Sequence, residues 1–221
     1  MPIAGISPRL PEIGRLRMGT TEPIKGKKGA KITRLDTWRL TSAHLEAINA
    51  AAKLWGGEVS ETEFGGEIIT ESAVLQVLVP DQDLSQYLEA WSGGGLVRRC
   101  DGVTEMLSDG PCLCAGEEER TCKPTTQLLV VLPELPGLGV WRLVTRGYNA
   151  AAELQASLAM IRQIEARGAL PHAELVLEQR TKTTAGETHR FAVPVLRLPY
   201  TLAEAGLVSR AAPSLPPGLD P

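Results

Sequence analysis

Between residues 31 and 40, polar and apolar side chains alternate with a period of two, which predicts a strand. Thr41 or Ser42 then offers a hydroxyl cap to a helix in which Leu45, Ile48, Ala52 and Trp55 recur on one face. Gly56 and Gly57 end that run. A strand over residues 58–64, a turn at Gly65-Gly66 and a second strand closed by Pro80 complete a β-α-β-β unit.

The order returns in the second half. Residues 139–144 read as a strand, and 149–167 as a helix with Leu154, Leu158 and Ile161 inward. Residues 173–180 and 190–198 read as two strands joined through Ala185-Gly186, with Pro199 closing the second. Trp-Arg-Leu stands before both helices, at 38–40 and 141–143. The expected fold is α+β, with duplicated β-α-β-β units forming one or two mostly antiparallel sheets. The competing reading is coincidence, since a shared order of elements and a three-residue match arise easily. Pro194 places the last strand at an edge or at a bulge.

Between the halves, residues 81–124 lack strong apolar periodicity; they hold a short candidate helix around 84–91 and a Gly93-Gly94-Gly95 turn. Fixing backbone costs about 1–2 kcal/mol per residue, and little apolar burial is present there to offset it. Residues 1–31 carry seven basic against two acidic side chains, with Pro and Gly among them, and read as an irregular basic arm. The expected organisation is therefore an arm over 1–31, one α+β domain over 32–210 with a cysteine-rich insertion at 81–124, and a Pro-rich unstructured tail over 211–221.

Composition narrows the picture. The chain has 221 residues and a formal charge of −3, so no global nucleic-acid signature exists. Nine aromatic residues argue against a row of base-stacking platforms and leave burial to aliphatic side chains. No apolar run approaches the roughly 20 residues needed to cross a bilayer, and no apolar signal core opens the chain, so a soluble cytoplasmic protein without membrane contact is expected.

All four cysteines, Cys100, Cys112, Cys114 and Cys122, fall in the insertion. In a reducing compartment they read first as metal ligands or redox groups. A four-cysteine zinc site would supply the ordering energy that the segment lacks, since structural zinc contributes on the order of 10–16 kcal/mol in small modules. Arg98, Arg99, Arg120 and Lys123 stand beside the ligands, where they could balance thiolate charge. The close pair is C-x-C and the other gaps are irregular, so an iron–sulfur cluster and free or redox thiols remain alternatives. A closed four-sulfur shell would be a scaffold, not a reaction centre.

The remaining candidates for chemistry are weaker. His44, His172 and His189 read as surface or capping residues, and no nucleophile, phosphate-loop or metalloprotease motif is present. Glu117, Glu118 and Glu119 read as a solvated face, and Asp81 and Asp83 with Glu58 or Glu67 form no spacing that demands a cation. The basic arm fits either phosphate contacts or docking on a protein. Trp55, Trp91 and Tyr148 are candidates for an exposed contact patch, against an ordinary core role.

Several segments together carry a resemblance. They are Leu35 to Ser42, Tyr87 to Gly95 running into Arg98-Arg99-Cys100-Asp101-Gly102, Cys122-Lys123-Pro124-Thr125-Thr126, Gly139 to Leu143, and Gly147-Tyr148-Asn149-Ala150-Ala151. Across roughly residues 10–198 the chain resembles the recombination directionality factor-like proteins of actinobacterial phages and integrated elements. The resemblance implies a non-catalytic partner of a large serine integrase in a bacterial host. It would switch the integrase from joining attachment sites to recombining the two hybrid sites, by protein-to-protein contact and with DNA met mainly through the integrase. The alternative is an accessory protein of phage DNA replication or recombination that binds single strands through the basic arm.

Overall fold

The computed structural model describes residues 9–24, 30–80, 84–114, 121–166, 172–184, 186–201 and 203–204. The chain opens with β1 (Glu12–Pro23) and β2 (Ala30–Ser42), followed by α1 (Leu45–Trp55), β3 (Val59–Thr62), β4 (Gly65–Ile69) and β5 (Val74–Val77). Next come β6 (Leu84–Ser92), β7 (Gly95–Cys100), the two-residue strands β8 (Thr104–Glu105) and β9 (Gly110–Pro111), and β10 (Lys123–Val130). β11 (Val140–Thr145), α2 (Tyr148–Glu165), β12 (Ala173–Thr184) and β13 (Glu187–Arg197) complete it. A ten-stranded sheet has the order β3-β4-β2-β1-β11-β10-β6-β7-β8-β9, and a three-stranded sheet the order β13-β12-β5. β1 and β11 run parallel, and the other paired strands described are antiparallel, so the fold is α+β as expected.

One row of side chains organises the large sheet. Val59, Ile68, Leu40, Leu16, Leu143, Leu128 and Leu84 stand opposite one another across seven strands. Strand side chains alternate between faces, so this register turns one face of the sheet into a continuous apolar floor. α1 lies against β2 and β4, α2 against β10 and β13, and the small sheet touches β2 through β12 and β13. The core is the layer between them, with Trp38, Trp141, Leu154, Leu158 and Ile161 nearly or fully buried. Gly14 is required where it stands, because a Cβ there would lie 2.3 Å from the Trp141 ring.

Several sequence expectations change. The segment read as an irregular basic arm contains β1, an interior strand between β2 and β11. Arg15-Leu16-Arg17-Met18 is strand alternation: Leu16 and Met18 pack in the core while the arginines face outward. Lys25, Lys27 and Lys28 lie outside the described residues, as does the tail over 211–221. Residues 84–91, read as a short helix, belong to β6; pairing with β10 and β7 overrides the helix propensity of Leu, Glu and Ala. Ser42 ends β2 and does not cap α1: its hydroxyl donates to the Ile13 carbonyl and accepts from the His44 N–H, fixing the corner between strand and helix. Gly56 and Gly57, both at positive φ, end α1 as expected.

The β-α-β-β order occurs twice without repeating its pairing. After α1 the chain forms three strands, and β4 returns beside β2 in the large sheet. After α2, β12 joins β13 and β5 in the small sheet, and β11 is not its neighbour. Pro194 lies in β13, an edge strand, as its missing N–H requires.

A charged clamp ties α2 to the small sheet. Arg180 on β12 donates to both carboxylate oxygens of Glu153 on α2, at 2.5 and 2.7 Å, and to Glu178 at 2.7 Å; Arg197 also pairs with Glu178. Arg180 holds both carboxyls below the usual carboxylate range, with Arg197 adding to the effect on Glu178. Their contribution is thus fully present at neutral pH and is lost as pH falls through the lowered values. Glu153, Glu178 and Arg180 are 25–39% exposed and Arg197 53%, so solvent screening keeps the clamp small. Arg180→Ala is expected to cost about 1 kcal/mol at pH 7 and less in acid, read as the pH dependence of the thermal midpoint.

Candidate functional site

Two surfaces carry the chemistry. The first grows from the far edge of the large sheet. β6 and β7 form a hairpin through the expected Gly93-Gly94 turn, and β7 ends on Cys100. Beyond it the chain is held by local polar bonds. The Asp101 carboxylate accepts from the N–H groups of Val103 and Thr104 at 2.8 and 2.7 Å, which holds its pKa low. Glu105 is buried and accepts from the Ser108 hydroxyl and from the N–H groups of Arg99, Leu107 and Ser108. The Ser108 hydroxyl leads in holding the Glu105 carboxyl below its usual range. Val103, Met106, Leu107 and Leu113 are exposed, so apolar burial contributes little, as the sequence pattern implied.

The four cysteines come together inside this segment. All are buried, and they form one cluster against Leu88 and Ala90 of β6. Sγ of Cys112 lies 3.4 Å from that of Cys100, and Sγ of Cys114 lies 3.3 Å from that of Cys122. A disulfide requires about 2.05 Å, and the four thiols are free. Burial pushes the Cys122 thiol up to about 12 and raises Cys100 as well, so both are protonated thiols at neutral pH in the absence of a cation. Among the described residues no group of three or more His, Cys, Asp or Glu side chains is placed so that it could hold a metal ion as it stands. The thiols stand as two close pairs.

Four thiols are nonetheless the donor type that a structural zinc site uses, and the two close pairs can be compared with its geometry. Four sulfurs at about 2.3 Å from one ion lie about 3.8 Å apart along the edges of the tetrahedron, so the close pairs need to open by only a few tenths of an ångström. Of the basic residues expected to balance thiolate charge, Arg98 directs its guanidinium at Cys114 Sγ, 3.9 Å away. Arg99 instead pairs with Glu89, Lys123 is exposed, and Arg120 lies outside the described residues.

The other candidates do not converge on the cysteines. His44 sits at the start of α1, His172 precedes β12, and His189 is exposed on β13 near Glu187. Glu67 pairs with Arg39, and Glu58 is exposed. Asp81, Asp83 and Glu117 to Glu119 lie outside the described residues. Trp55 packs against the core, whereas Trp91 is 52% and Tyr148 70% exposed.

The second surface was not read from the sequence. The outer face of the large sheet holds a cleft of about 700 Å³ lined by Arg15, Arg17, Arg39, Arg99, Arg142 and Arg146. Sheet register brings them together: Arg17 stands opposite Arg39, and Arg15 opposite Arg142. Like charges placed across a ladder repel, and carboxylates offset part of that. Glu12 pairs with Arg15 and Arg142, Glu67 with Arg39, and Glu89 with Arg99. Burial pushes Glu89 up, but hydrogen bonds from Trp91 and Arg99 outweigh it and hold the carboxyl below its usual range. The missed signal is the Arg-Leu-Arg-Met alternation of β1, which places Arg15 and Arg17 on the face opposite the core.

No helix among the described residues is long and apolar enough to cross a membrane. No solved structure matches the chain. The model of one family, Gp3-like, described as recombination directionality factor-like, matches residues 13–199. That span takes in both sheets, both helices and all four cysteines, and the chain belongs to the Gp3-like, recombination directionality factor-like family.

Proposed function

We propose that this protein is a non-catalytic directionality factor that binds a large serine integrase and switches it from integration to excision. The observation that carries this reading is the family match over residues 13–199. The physical requirement is a population shift: the factor must bind the integrase arrangement that recombines hybrid sites more tightly than the arrangement that joins phage and host sites. Equal affinity for the two would change nothing. Such a protein needs a rigid, specific surface and performs no covalent step.

Zn2+ held by Cys100, Cys112, Cys114 and Cys122 gives the insertion that rigidity. Support comes from the buried cluster of four free thiols and from the scarcity of apolar burial around it. The ion would offset the cost of deprotonating the buried thiols and close the loop over β6.

The test is recombination of the two hybrid attachment sites by the cognate integrase, with and without this protein. Product is expected only with the factor present, together with suppression of the integration reaction. Unchanged products in both reactions would remove this function.

A further inference from the structure

We propose that the arginine cleft on the outer face of the large sheet is where this factor seats its protein partner, by taking an acidic segment of that partner. The inference rests on the reading of the protein as an integrase-binding factor and names the surface involved.

Charge is the first argument. The whole chain carries −3, yet six guanidinium groups and a single carboxylate, Glu89, line the cleft among the described residues. Four of the six already have carboxylate partners, through Glu12, Glu67 and Glu89. Arg17 and Arg146 have no carboxylate within ion-pair distance among the described residues. Arg17 is also crowded: desolvation of its charged end leads in lowering its pKa, Arg15, Arg39 and Arg142 add to that, and Glu67 opposes it. An incoming carboxylate would relieve this crowding. In addition, Nε of Arg39 and Nε of Arg142 are buried without a hydrogen-bond partner, so two donors have lost water and gained no acceptor.

The composition of the cleft indicates what kind of anion fits. Its cations are all arginine, and Trp91 stands at its side with the Arg146 guanidinium 5.9 Å from the ring centroid. Ile32 and Val144 add exposed apolar surface, at 73% and 45%. Arg and Trp dominate the energetic centres of protein interfaces, where Lys is depleted, and the planar Arg fork matches carboxylates. A nucleic-acid track favours an unbroken positive groove with several stacking rings. Here Glu89 breaks the positive lining, Glu12 and Glu67 beside it already pair with three more of the arginines, and one exposed ring serves the cleft.

The test titrates full-length cognate integrase with the wild-type factor and with the double variant Arg17→Glu, Arg146→Glu. Both positions are exposed, and neither is in the core or among the thiols. Binding is expected to weaken at least about a hundred-fold, with a weaker salt dependence than the wild type shows. Arg17→Gln with Arg146→Gln reads the same contact if the reversed charges disturb folding, and a loss of at least about ten-fold is expected. Variants that bind as tightly as the wild type would overturn the cleft assignment and leave the function standing. A wild-type protein that fails to bind integrase at all overturns the functional reading, and the cleft's occupant with it. A parallel titration with single-stranded and duplex oligonucleotides completes the experiment. Tight binding by the wild type that the variants lose assigns the cleft to phosphates and overturns the acidic-segment proposal.

Discussion

If the proposed zinc site is formed, Cys122→Ser is expected to abolish metal binding and to unfold the segment around the thiols while leaving both sheets' cores in place. Four buried thiols can be brought around one ion, but three sulfurs and a serine hydroxyl form a much weaker site for zinc. In small zinc modules the metal contributes on the order of 10–16 kcal/mol, which is the difference between folded and unfolded. The segment here has little else to hold it. Leu107 and Leu113 are 56% exposed and Val103 76%, and apart from the thiols the segment is held by polar bonds only, the turns at Asp101 and Glu105 and the short β7-β8-β9 ladder. By contrast, the apolar row from Val59 to Leu84 and the two helices make no use of the thiols. Hydrogen exchange should therefore show protection lost between residues 100 and 122 and retained in β1, β2 and β11. Metal analysis of the wild type should show one zinc per chain, and treatment with a strong chelator should reproduce the variant. Full protection in a metal-free protein would mean that the thiols pack as ordinary buried cysteines. Excision activity should fall with the protection, since a loop that must be ordered on docking adds its own ordering cost to binding.

How far the sequence exposes this architecture depends on which forces act locally. Helix α1 is legible because Leu45, Ile48 and Trp55 recur at helical spacing and Gly56-Gly57 stops the run; α2 is legible through Leu154, Leu158 and Ile161. Pro194 marks an edge strand because a missing N–H is a property of one residue. What stays hidden is pairing. Nothing local says that β1 runs parallel to β11, more than a hundred residues away, or that β4 turns back to β2 while β12 crosses to β5. The arginine cleft is hidden for the same reason, since Arg39, Arg99 and Arg142 become neighbours of Arg17 only through that strand order. Residues 84–91 misled because Leu, Glu and Ala favour helices in isolation, whereas two flanking strands supply the ladder that decides the matter. The cysteines were legible as a cluster because they fall close together in the chain. The two pairs, Cys100 with Cys112 and Cys114 with Cys122, needed the fold.

The two tryptophans of the repeated Trp-Arg-Leu should respond differently to the same substitution. Both are fully buried, so Trp38→Ala and Trp141→Ala should each cost about 3–5 kcal/mol. In a chain of this size that lowers the thermal midpoint by roughly 6–20 °C. Phenylalanine separates them. Trp38 Nε1 donates to the Ala73 carbonyl at 2.9 Å, and its backbone exchanges bonds with Thr70. Residues 70–73 lead from the large sheet into β5 of the small one, and the Ala73 carbonyl also accepts from Leu177 N–H on β12. Trp38 is thus one of the points where the two sheets are tied, with Arg34, which donates to the Arg190 carbonyl of β13, as another, and Trp38→Phe removes the Ala73 bond, about 0.5–1.5 kcal/mol, along with part of the packing. Trp141 lies against Gly14, and its Nε1 is buried without a partner. Trp141→Phe therefore deletes a donor that was already unsatisfied, and the relief offsets part of the lost packing. Thermal unfolding of the two Phe variants, at equal zinc concentration, should rank Trp38→Phe as the more damaging. Equal midpoints would mean that the Ala73 bond contributes nothing to stability.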